Sequence, residues 1–524
     1  MKNIIIKNIL FASAFLLVFS CADDFVDVPS PELNSEDFFN SEQEYQDALI
    51  AAYDMLQSTA KIYQLGEIAS DNTLCGGQDA LDTPGFQEID DMIHTPVNAQ
   101  LRDIWTWMWT GVNRANYIME FKDKTDFPSK NGVLAQTKFL RAYYYFQLTK
   151  WFGDVPLVVD KRIKYGEQFG LERTERDLVF LQIEKDLQEA IDDLPTTPSQ
   201  VGRITKGAAQ GLLGRVYLFW RQNWSKEGES ISNINGEPVN VPSAQEKYSR
   251  TVDVLEDLIA SGVYRLLTSE EAPLMWEMEY ENSPESVFEI QYSDVDGGSY
   301  ECFYCLEGNY AVGFNGPREY QGPVFDFGYS FNVPTQEVVD AFEEGDIRLD
   351  YSILDMQKWI QYTEDNPDLF DGEVASYNEE AGYEQTGYFN RKYIARKGDL
   401  NLPDAALTNP NNTRAIRYAD VLLMAAEAHY FTGNEDMARQ YLTDVRNRAT
   451  LGDAFSSGEF LLNDIYKERR VELVGEGHRF FDLVRTGKAA EEIDGFVAGK
   501  HELFPIPIQE IQLAGNTWEQ NPNY

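Results

Sequence analysis

The chain has 524 residues, of which 43% are hydrophobic and 13% aromatic, so it is long enough to bury a large core. Its 87 acidic and 44 basic residues give a formal net charge of −43. A surface this acidic repels phosphate backbones and anionic lipid headgroups, which excludes nucleic-acid binding by counterion release and membrane attachment through a basic patch. We therefore expect no nucleic-acid partner, and the charge is typical of a solvated surface.

Residues 1–20 have the pattern of a secretory signal peptide. Lys2 and Lys7 precede the apolar run 9–19 (ILFASAFLLVF), which is too short to cross a bilayer as a helix. The stretch that ends at Cys21 (VFSC) has the form of a lipoprotein cleavage site, so we expect Cys21 to be the lipidated first residue of the mature chain. Two or more acyl chains give a lasting anchor, at about 0.8 kcal/mol per buried methylene group. The alternative is an ordinary signal peptide with an incidental cysteine.

Most of the mature chain has the periodicity of amphipathic helices, with apolar residues every three or four positions. Ser41 and Glu44 have the spacing of a capping box at the start of the first such segment. The predicted long helices cover residues 41–58, 101–122, 133–152, 175–194, 205–220, 245–261, 417–431, 435–449 and 460–473.

Several of these helices have the pattern of tetratricopeptide-like pairs. In the pair at 417–449, Ala426 and Ala438 occupy small-residue positions and Gly433 lies in the turn. Small residues such as Ala208, Gly211 and Gly214, within the helix at 205–220, are expected to let neighbouring helices approach closely. The predicted fold is mostly α, with four tetratricopeptide-like helix pairs that support an irregular lobe with a few short strands.

Between about residues 265 and 415 the composition shifts towards Gly, Asn, Pro and Asp, with short β-like runs such as 286–292 (SVFEIQY). We predict that this segment is a variable, loop-rich lobe inserted into a helical-repeat body at about 41–264 and 416–475. Long structured loops of this kind commonly carry function.

A set of motifs in a fixed order is more specific than the composition. The motifs are 36–39 (EDFF), 138–146 (KFLRAYYYF), 152–157 (FGDVPL), 417–423 (RYADVLL), 445–449 (VRNRA), 476–485 (EGHRFFDLVR) and 503–508 (LFPIPI). Together they resemble the SusD/RagB family of nutrient-binding lipoproteins, and the resemblance runs from Cys21 to the end of the chain. From this resemblance we expect residues 21–524 to form one SusD-like domain.

The resemblance implies a lipid-anchored protein on the outer membrane of a Bacteroidetes-type cell, facing the exterior. It implies a SusC-like TonB-dependent transporter as partner and capture of a ligand without catalysis or a cofactor. Ligands of the family are usually oligosaccharides and sometimes peptides, so a peptide ligand remains an alternative. Two further functions stay open at this point, those of a surface glycoside hydrolase and of a purely structural scaffold.

Binding a sugar requires aromatic faces for the apolar side of the ring and Asp, Asn or Arg side chains for its hydroxyl groups. The segments 71–91 and 300–331 offer this combination, and the family places its ligand contacts on loops in these regions. The predicted ligand-binding residues are Asp71, Asn72, Phe86, Tyr304, Tyr310, Arg318 and Tyr320. For each aromatic ring the alternative is packing within the loops. Trp105, Trp107 and Trp109 lie two residues apart, and we expect them to pack in the core.

No catalytic or metal-binding residues are predicted. The charged residues of the segment 468–485 are expected to form structural ion pairs at i,i+3 and i,i+4 spacing. The four histidines are scattered without an HExxH motif, and no local motif marks the two carboxylates of a glycosidase. The acidic stretches 294–297 and 365–371 complete no calcium loop, and the CxxC of Cys302 and Cys305 has no second pair.

Overall fold

The computed structural model describes residues 38–164, 166–220, 225–294, 307–378, 380, 382–399 and 409–524, so the predicted signal peptide and Cys21 lie outside the described residues. The α-helices are α1 (Glu42–Asp54), α2 (Thr59–Ile68), α3 (Pro84–Asp90), α4 (Ala99–Glu120), α5 (Lys130–Phe152), α6 (Arg176–Asp193), α7 (Lys206–Phe219), α8 (Ala244–Ala260), α9 (Tyr310–Asn315), α10 (Gln336–Asp340), α11 (Arg348–Ser352), α12 (Met356–Asp365), α13 (Tyr418–Phe431), α14 (Glu435–Arg448), α15 (Glu459–Glu472), α16 (Arg479–Thr486), α17 (Ala489–Glu492) and α18 (Ile508–Leu513). The strands are β1 (Thr73–Gly76), β2 (Ser230–Ser232), β3 (Pro238–Asn240), β4 (Ser286–Ile290), β5 (Phe331–Pro334), β6 (Ile353–Asp355), β7 (Tyr388–Asn390) and β8 (Thr413–Arg417).

The long helices predicted from the periodicity are all present, and each begins and ends within four residues of its predicted limits. At the start of α1, Ser41 Oγ accepts a hydrogen bond from the Glu44 backbone N–H, and the Glu44 carboxylate accepts one from the Ser41 N–H at 3.0 Å. This confirms the predicted capping box. The sequence analysis missed α2, because nearly all of its residues are buried and it therefore has no apolar stripe.

The long helices form a continuous stack in which neighbours in sequence pack against each other. α4 packs on α1 and α5, and the contacts continue from α5 through α6, α7 and α8 to α13. α14 and α15 then pack against α13. This succession of helix pairs is the predicted mostly α, tetratricopeptide-like architecture.

Glycines set how closely some of these helices approach. A Cβ added to Gly111 of α4 would lie 2.5 Å from the Tyr144 ring of α5, and one added to Gly214 of α7 would lie 2.6 Å from Leu255 of α8. Because interiors are close-packed, no side chain fits at either contact without displacing its neighbour. The predicted packing role of Gly214 is confirmed.

Between α8 and α13 the described chain consists of short helices and strands. β4 pairs antiparallel with β8, so the strand predicted at 286–292 is present over its first five residues. β1 pairs with β5 and β6 with β7, both antiparallel. The β1–β5 pair thereby joins the segment that follows α2 to a strand about 260 residues later, in the centre of the region predicted to be variable.

Trp105 and Trp107 of α4 are buried in the core as predicted, whereas Trp109 is half-buried at its edge. Trp105 and Trp109 share one flank of the helix, with ring centroids 6.1 Å apart. Trp107 is buried on the other flank, where the Lys61 ammonium lies 4.7 Å from its ring centroid. The two flanks of α4 therefore face different parts of the molecule.

A network of buried charges joins β8 to α14 and to the end of α15. Arg417 donates to Glu285 at 2.9 Å, to Glu472 at 2.8 Å and to Glu476 at 2.7 Å. Arg448 also pairs with Glu285 and Glu472. Burial alone would raise the pKa of Glu472, but Arg448 and Arg417 hold it well below its usual range. The carboxylate of Glu472 thus stays charged, as expected for a structural role.

The charged residues of the segment 468–485 form ion pairs, as predicted. Most of these pairs, however, do not join residues three or four positions apart in sequence. Asp482 and Arg485 form an i,i+3 pair at 2.7 Å. Other members pair across the fold, as when Arg479 donates to Asp71 at 2.7 Å, 408 residues away in sequence. Spacing along one helix cannot identify such partners, because they belong to different elements.

Candidate functional site

The two loop regions singled out by the sequence meet at one open cavity, which we name the loop cavity. Its volume is about 370 Å³. Residues from α2, α3, α4, α9, β5 and the connecting loops line it: Lys61, Gln78, Asp82, Thr83, Phe86, Gln100, Tyr310, Phe314, Arg318, Tyr329 and Phe331. Elements about 230 residues apart in sequence therefore form one site.

The floor of the loop cavity is held by the β1–β5 pair, in which Gly76 lies opposite Phe331. The chain then turns at Gly77, whose backbone N–H donates to the Ser330 carbonyl at 2.8 Å. Both glycines have positive φ, and a Cβ on Gly77 would lie 2.8 Å from the Phe331 ring. Glycine is required here because any side chain would be strained and would displace the ring that lines the cavity.

Aromatic rings form the apolar wall of the loop cavity. Phe314 stacks on Phe331 with ring centroids 5.3 Å apart, and Phe86 meets Phe331 edge-on at 5.6 Å. These three rings are at most 8% exposed, so they fix the shape of the wall. Tyr329 is half-buried and lies edge-on to Phe314 at 5.6 Å, which brings part of its ring to solvent at the cavity mouth.

Arg318 supplies the principal polar group of the loop cavity. Its Nη2 donates to Asp82 Oδ2 at 3.2 Å and to the Tyr329 carbonyl at 2.9 Å. Its Nε is buried and has no hydrogen-bond acceptor among the residues that the structure describes. Asp82 also accepts from the Gln78 N–H at 2.8 Å. A guanidinium and a carboxylate are thus fixed beside the aromatic wall, where they can bond hydroxyl groups.

Three of the predicted ligand-binding residues, Phe86, Tyr310 and Arg318, line the loop cavity. Tyr304 lies outside the described residues, as do Cys302 and Cys305. The other three lie away from the cavity and are held by other parts of the protein.

Asp71 and Asn72 do not line the loop cavity, and their side chains contact arginines of α15 and α16. The Asp71 side chain is 4% exposed and pairs with both Arg470 and Arg479. Asn72 donates to Glu67 at 3.1 Å and accepts from Arg470 Nε at 2.9 Å. Neither side chain lies at the surface of the loop cavity, because arginine partners hold both in the interior.

Tyr320 also does not line the loop cavity, and it packs within the lobe. It is 6% exposed, and its hydroxyl donates to the Pro323 carbonyl at 2.6 Å. The same hydroxyl accepts from Trp359 Nε1 at 3.0 Å. The alternative of loop packing therefore applies to Tyr320.

Sequence reasoning missed the cavity residues that lie on helices and also an exposed ring that contacts the aromatic wall. Lys61 lies on α2, which the sequence analysis missed, and Gln100 lies on α4, for which no functional role was predicted, yet both line the cavity. Phe327, which is 49% exposed, lies edge-on to Tyr329 with centroids 6.4 Å apart. Its position in the aromatic segment 300–331 was a usable signal, whereas nothing local distinguishes Lys61.

The described part of the chain shows no metal-binding cluster and no reactive cysteine. No group of three or more His, Cys, Asp or Glu side chains within it could hold a metal ion. Cys75 is a buried thiol in β1, and burial raises its pKa above the usual range, which disfavours the reactive thiolate. Asp294 is described, but the rest of the 294–297 stretch lies outside the described residues.

Comparison with known proteins identifies the family. A model described as SusD family matches residues 284–524, and one described as starch-binding associating with outer membrane matches residues 24–218. A solved laminarin binding SusD-like protein is 32% identical, with a TM-score of 0.79, over 93% of this chain and 100% of its own. The chain belongs to the SusD family. This confirms the resemblance predicted from the ordered motifs.

Further SusD-family relatives match over similar lengths. Surface glycan-binding protein A from Bacteroides thetaiotaomicron, in complex with laminarihexaose, is 25% identical over 92% of this chain and 100% of its own, with a TM-score of 0.76. SusD-like protein P2 from Formosa agariphila is 25% identical over 99% of each chain. In the part of this SusD-family chain that the structure describes, no helix has both the length and the apolar character of a membrane span.

Proposed function

We propose that this SusD-family protein binds an oligosaccharide in the loop cavity and delivers it to a SusC-like TonB-dependent transporter. The observation that supports this most directly is the grouping of Arg318 and Asp82 with the rings of Phe314 and Tyr329 around one opening. A pyranose has an apolar face that fits an aromatic ring and a rim of hydroxyl groups that bond charged side chains. The cavity offers both within a volume typical of ligand pockets, about 300–1,000 Å³.

A glucan is the first ligand class to test. Two solved relatives are described by laminarin binding or by a complex with laminarihexaose, and a matching family model is described as starch-binding. The loop cavity suits a neutral sugar because Asp82 compensates the charge of Arg318. Peptides, the alternative ligands of the family, belong in the same panel.

We propose further that binding leaves the glycan intact. Glycoside hydrolysis needs two carboxyl groups on opposite sides of the sugar bond, roughly 5–9 Å apart. Among the described residues that line the loop cavity, Asp82 is the single carboxylate, and it is paired with Arg318 at 3.2 Å. The cavity thus offers groups that hold a sugar without a second acid that could cleave it.

The test is affinity electrophoresis of the mature chain in gels that contain laminarin, starch or a peptide-conjugated polymer. We expect retardation by a glucan, loss of that retardation in Arg318→Ala, and no release of reducing ends on long incubation. Arg265→Ala is the matched control, because Arg265 is exposed and pairs with Glu271 outside the cavity. Retardation by peptide alone, or release of reducing ends, would replace the proposed function with the corresponding alternative.

The lipid anchor and the transporter partner are also part of the proposal. The VFSC stretch that ends at Cys21 supports lipidation, and the family description associates such proteins with the outer membrane. In cells, Cys21→Ser should move the protein from the outer-membrane fraction to the soluble fraction, and detergent extracts of unaltered cells should contain it with a TonB-dependent barrel. An unaltered chain that is soluble and carries no acyl group would overturn the anchor.

A further inference from the structure

A second open groove lies on the flank of α4 that carries Trp105 and Trp109. Its volume is about 660 Å³, larger than that of the loop cavity. The lining residues that matter here are Trp105, Thr106, Trp109, Arg162, Glu510 and Trp518. We name it the tryptophan groove.

Three indole rings form one side of the tryptophan groove. The ring of Trp105 lies 6.1 Å from that of Trp109 and 6.0 Å from that of Trp518, between centroids. Trp518 Nε1 donates to the Leu171 carbonyl at 2.7 Å, which fixes the orientation of the ring. Trp109 and Trp518 are half-buried, so each presents part of its surface to the groove. Leu513, which is 43% exposed, extends the apolar surface.

Polar groups lie beside these indoles. Thr106 is exposed on α4, and Glu510 lines the groove with Trp105, whose side chain favours the charged form of the Glu510 carboxyl group. Burial raises the pKa of Glu510 above its ordinary value. Arg162 donates to Glu120 at 2.8 Å, and its guanidinium lies 3.8 Å from the centroid of the Tyr117 ring. Aromatic surface, hydroxyl, carboxyl and guanidinium groups thus line one open groove, which is the combination that a pyranose requires.

The tryptophan groove is separate from the loop cavity. Lys61 lines the loop cavity and covers the ring of Trp107, whereas Trp105 and Trp109 line the groove. Gln100, which lines the loop cavity, lies five residues before Trp105, and Trp107 lies two residues after it. Side chains at these spacings point to different sides of a helix, so the two sites lie on opposite flanks of α4. A substitution in one site therefore leaves the other intact.

We infer that the tryptophan groove is a second oligosaccharide-binding site of this protein. The class of the ligand is taken from the proposed function, whereas the location of the site and its binding groups are taken from the groove itself. A protein partner fits the groove less well, because Glu is depleted from the core of protein interfaces, although Trp and Arg are enriched there. Here the ionisable side chains of Glu510 and Arg162 line the same groove as the exposed indole surface.

The test is a calorimetric titration of the mature chain with laminarihexaose or whichever panel glycan retards it. Thr106→Arg fills the groove from an exposed helix position, and Trp518→Ala removes one indole. Gln440→Arg, at an exposed position of α14, is the control for the added charge. Far-ultraviolet circular dichroism of each variant verifies its fold.

We expect two oligosaccharides per unaltered chain and per Gln440→Arg chain. We expect one in Thr106→Arg and one in Arg318→Ala, and Trp518→Ala should weaken the groove site by about fivefold or more. A single site that Arg318→Ala removes and Thr106→Arg leaves intact would overturn the groove while retaining the proposed function. A chain that binds no glycan of the panel would overturn both. A Thr106→Arg chain that loses a protein partner but keeps both glycan sites would also overturn the groove.

Discussion

The Arg417 guanidinium and the Glu476 carboxylate form a two-point pair, from Nε to Oε2 at 2.8 Å and from Nη2 to Oε1 at 2.7 Å. Arg417 is the last residue of β8 and Glu476 follows α15, so the pair ties the strand that ends the lobe to the helical body. Both side chains are at most 2% exposed. Two parallel charge-assisted hydrogen bonds that are shielded from solvent fix the relative position of β8 and the end of α15.

Removing one partner of this pair should destabilise the whole chain. Arg417→Met leaves Glu476, Glu472 and Glu285 with fewer cationic partners in the interior, and uncompensated buried charge of this kind costs about 3–5 kcal/mol. Urea unfolding followed by circular dichroism measures the loss. Arg265→Ala, which breaks an exposed pair, should leave the midpoint unchanged. A midpoint of Arg417→Met equal to that of the unaltered chain would show that the network contributes nothing to stability.

Two helical glycines should respond oppositely to the same substitution. Gly111→Ala forces a methyl group against the Tyr144 ring, and such overpacking costs about 1–3 kcal/mol. At Gly132 of α5 a Cβ meets nothing within 4 Å, so Gly132→Ala should stabilise the chain by about 0.5–1 kcal/mol. Thermal or urea unfolding of both variants gives the signs. Equal effects at the two positions would contradict the close helix contact.

Asp90 should make the free energy of unfolding decrease as the pH rises from about 4 to about 8. Burial, with the nearby charges of Glu384 and Asp91, raises its pKa from 3.8 to about 8, although the Cys75 N–H bond opposes this. The folded state therefore keeps a proton that the unfolded chain releases near pH 4, so the contribution is complete below that value and is lost as the pH rises to about 8.

Asp90→Asn removes this dependence, because the amide oxygen still accepts from the Cys75 N–H, whose present bond to the carboxylate measures 2.6 Å. Urea unfolding at pH 5 and pH 8 compares the two chains. Relative to the unaltered chain, Asp90→Asn should be more stable at pH 8 than at pH 5. An identical difference at both values would show that Asp90 titrates normally.

Tyr320→Phe should affect stability and leave glycan binding unchanged. The substitution leaves the Pro323 carbonyl and Trp359 Nε1 without their buried partner, at a cost of about 1–3 kcal/mol. Unfolding measures the cost, and affinity electrophoresis in a glucan gel measures binding. Weaker binding with unchanged stability would restore Tyr320 to the ligand site.

The helical body was predictable because its signals are local. Capping by Ser41 and Glu44, and the three-to-four-residue period of the long helices, depend on neighbours in sequence. The same rule failed for α2, where Lys61 and Glu67 are buried along with the apolar residues. A helix enclosed on all sides has no polar face to reveal its period.

The candidate site was predictable in composition and only partly in membership. Residues of the aromatic segment 300–331 and of the loop 71–91 do meet at the loop cavity. Arg318, however, pairs with Asp82, which lies 236 residues away in sequence, and local patterns cannot predict such a pair. The same long-range pairing takes Asp71 into the interior, where Arg470 and Arg479 neutralise it. Tertiary contacts decide which arginine pairs with an acid, and whether that pair lies at a cavity or in the interior, and the residue type does not reveal it.

The most direct measurement of the central claim is a laminarihexaose titration of the unaltered chain and of Tyr329→Ala. Tyr329 is half-buried at the mouth of the loop cavity, and Phe460, 78% exposed on α15, is the matched aromatic control outside it. Tyr329→Ala should weaken binding at one site by about tenfold or more, equivalent to about 1.4 kcal/mol. Phe460→Ala should leave the isotherm unchanged. An isotherm of Tyr329→Ala that superimposes on that of the unaltered chain would contradict oligosaccharide binding in the loop cavity.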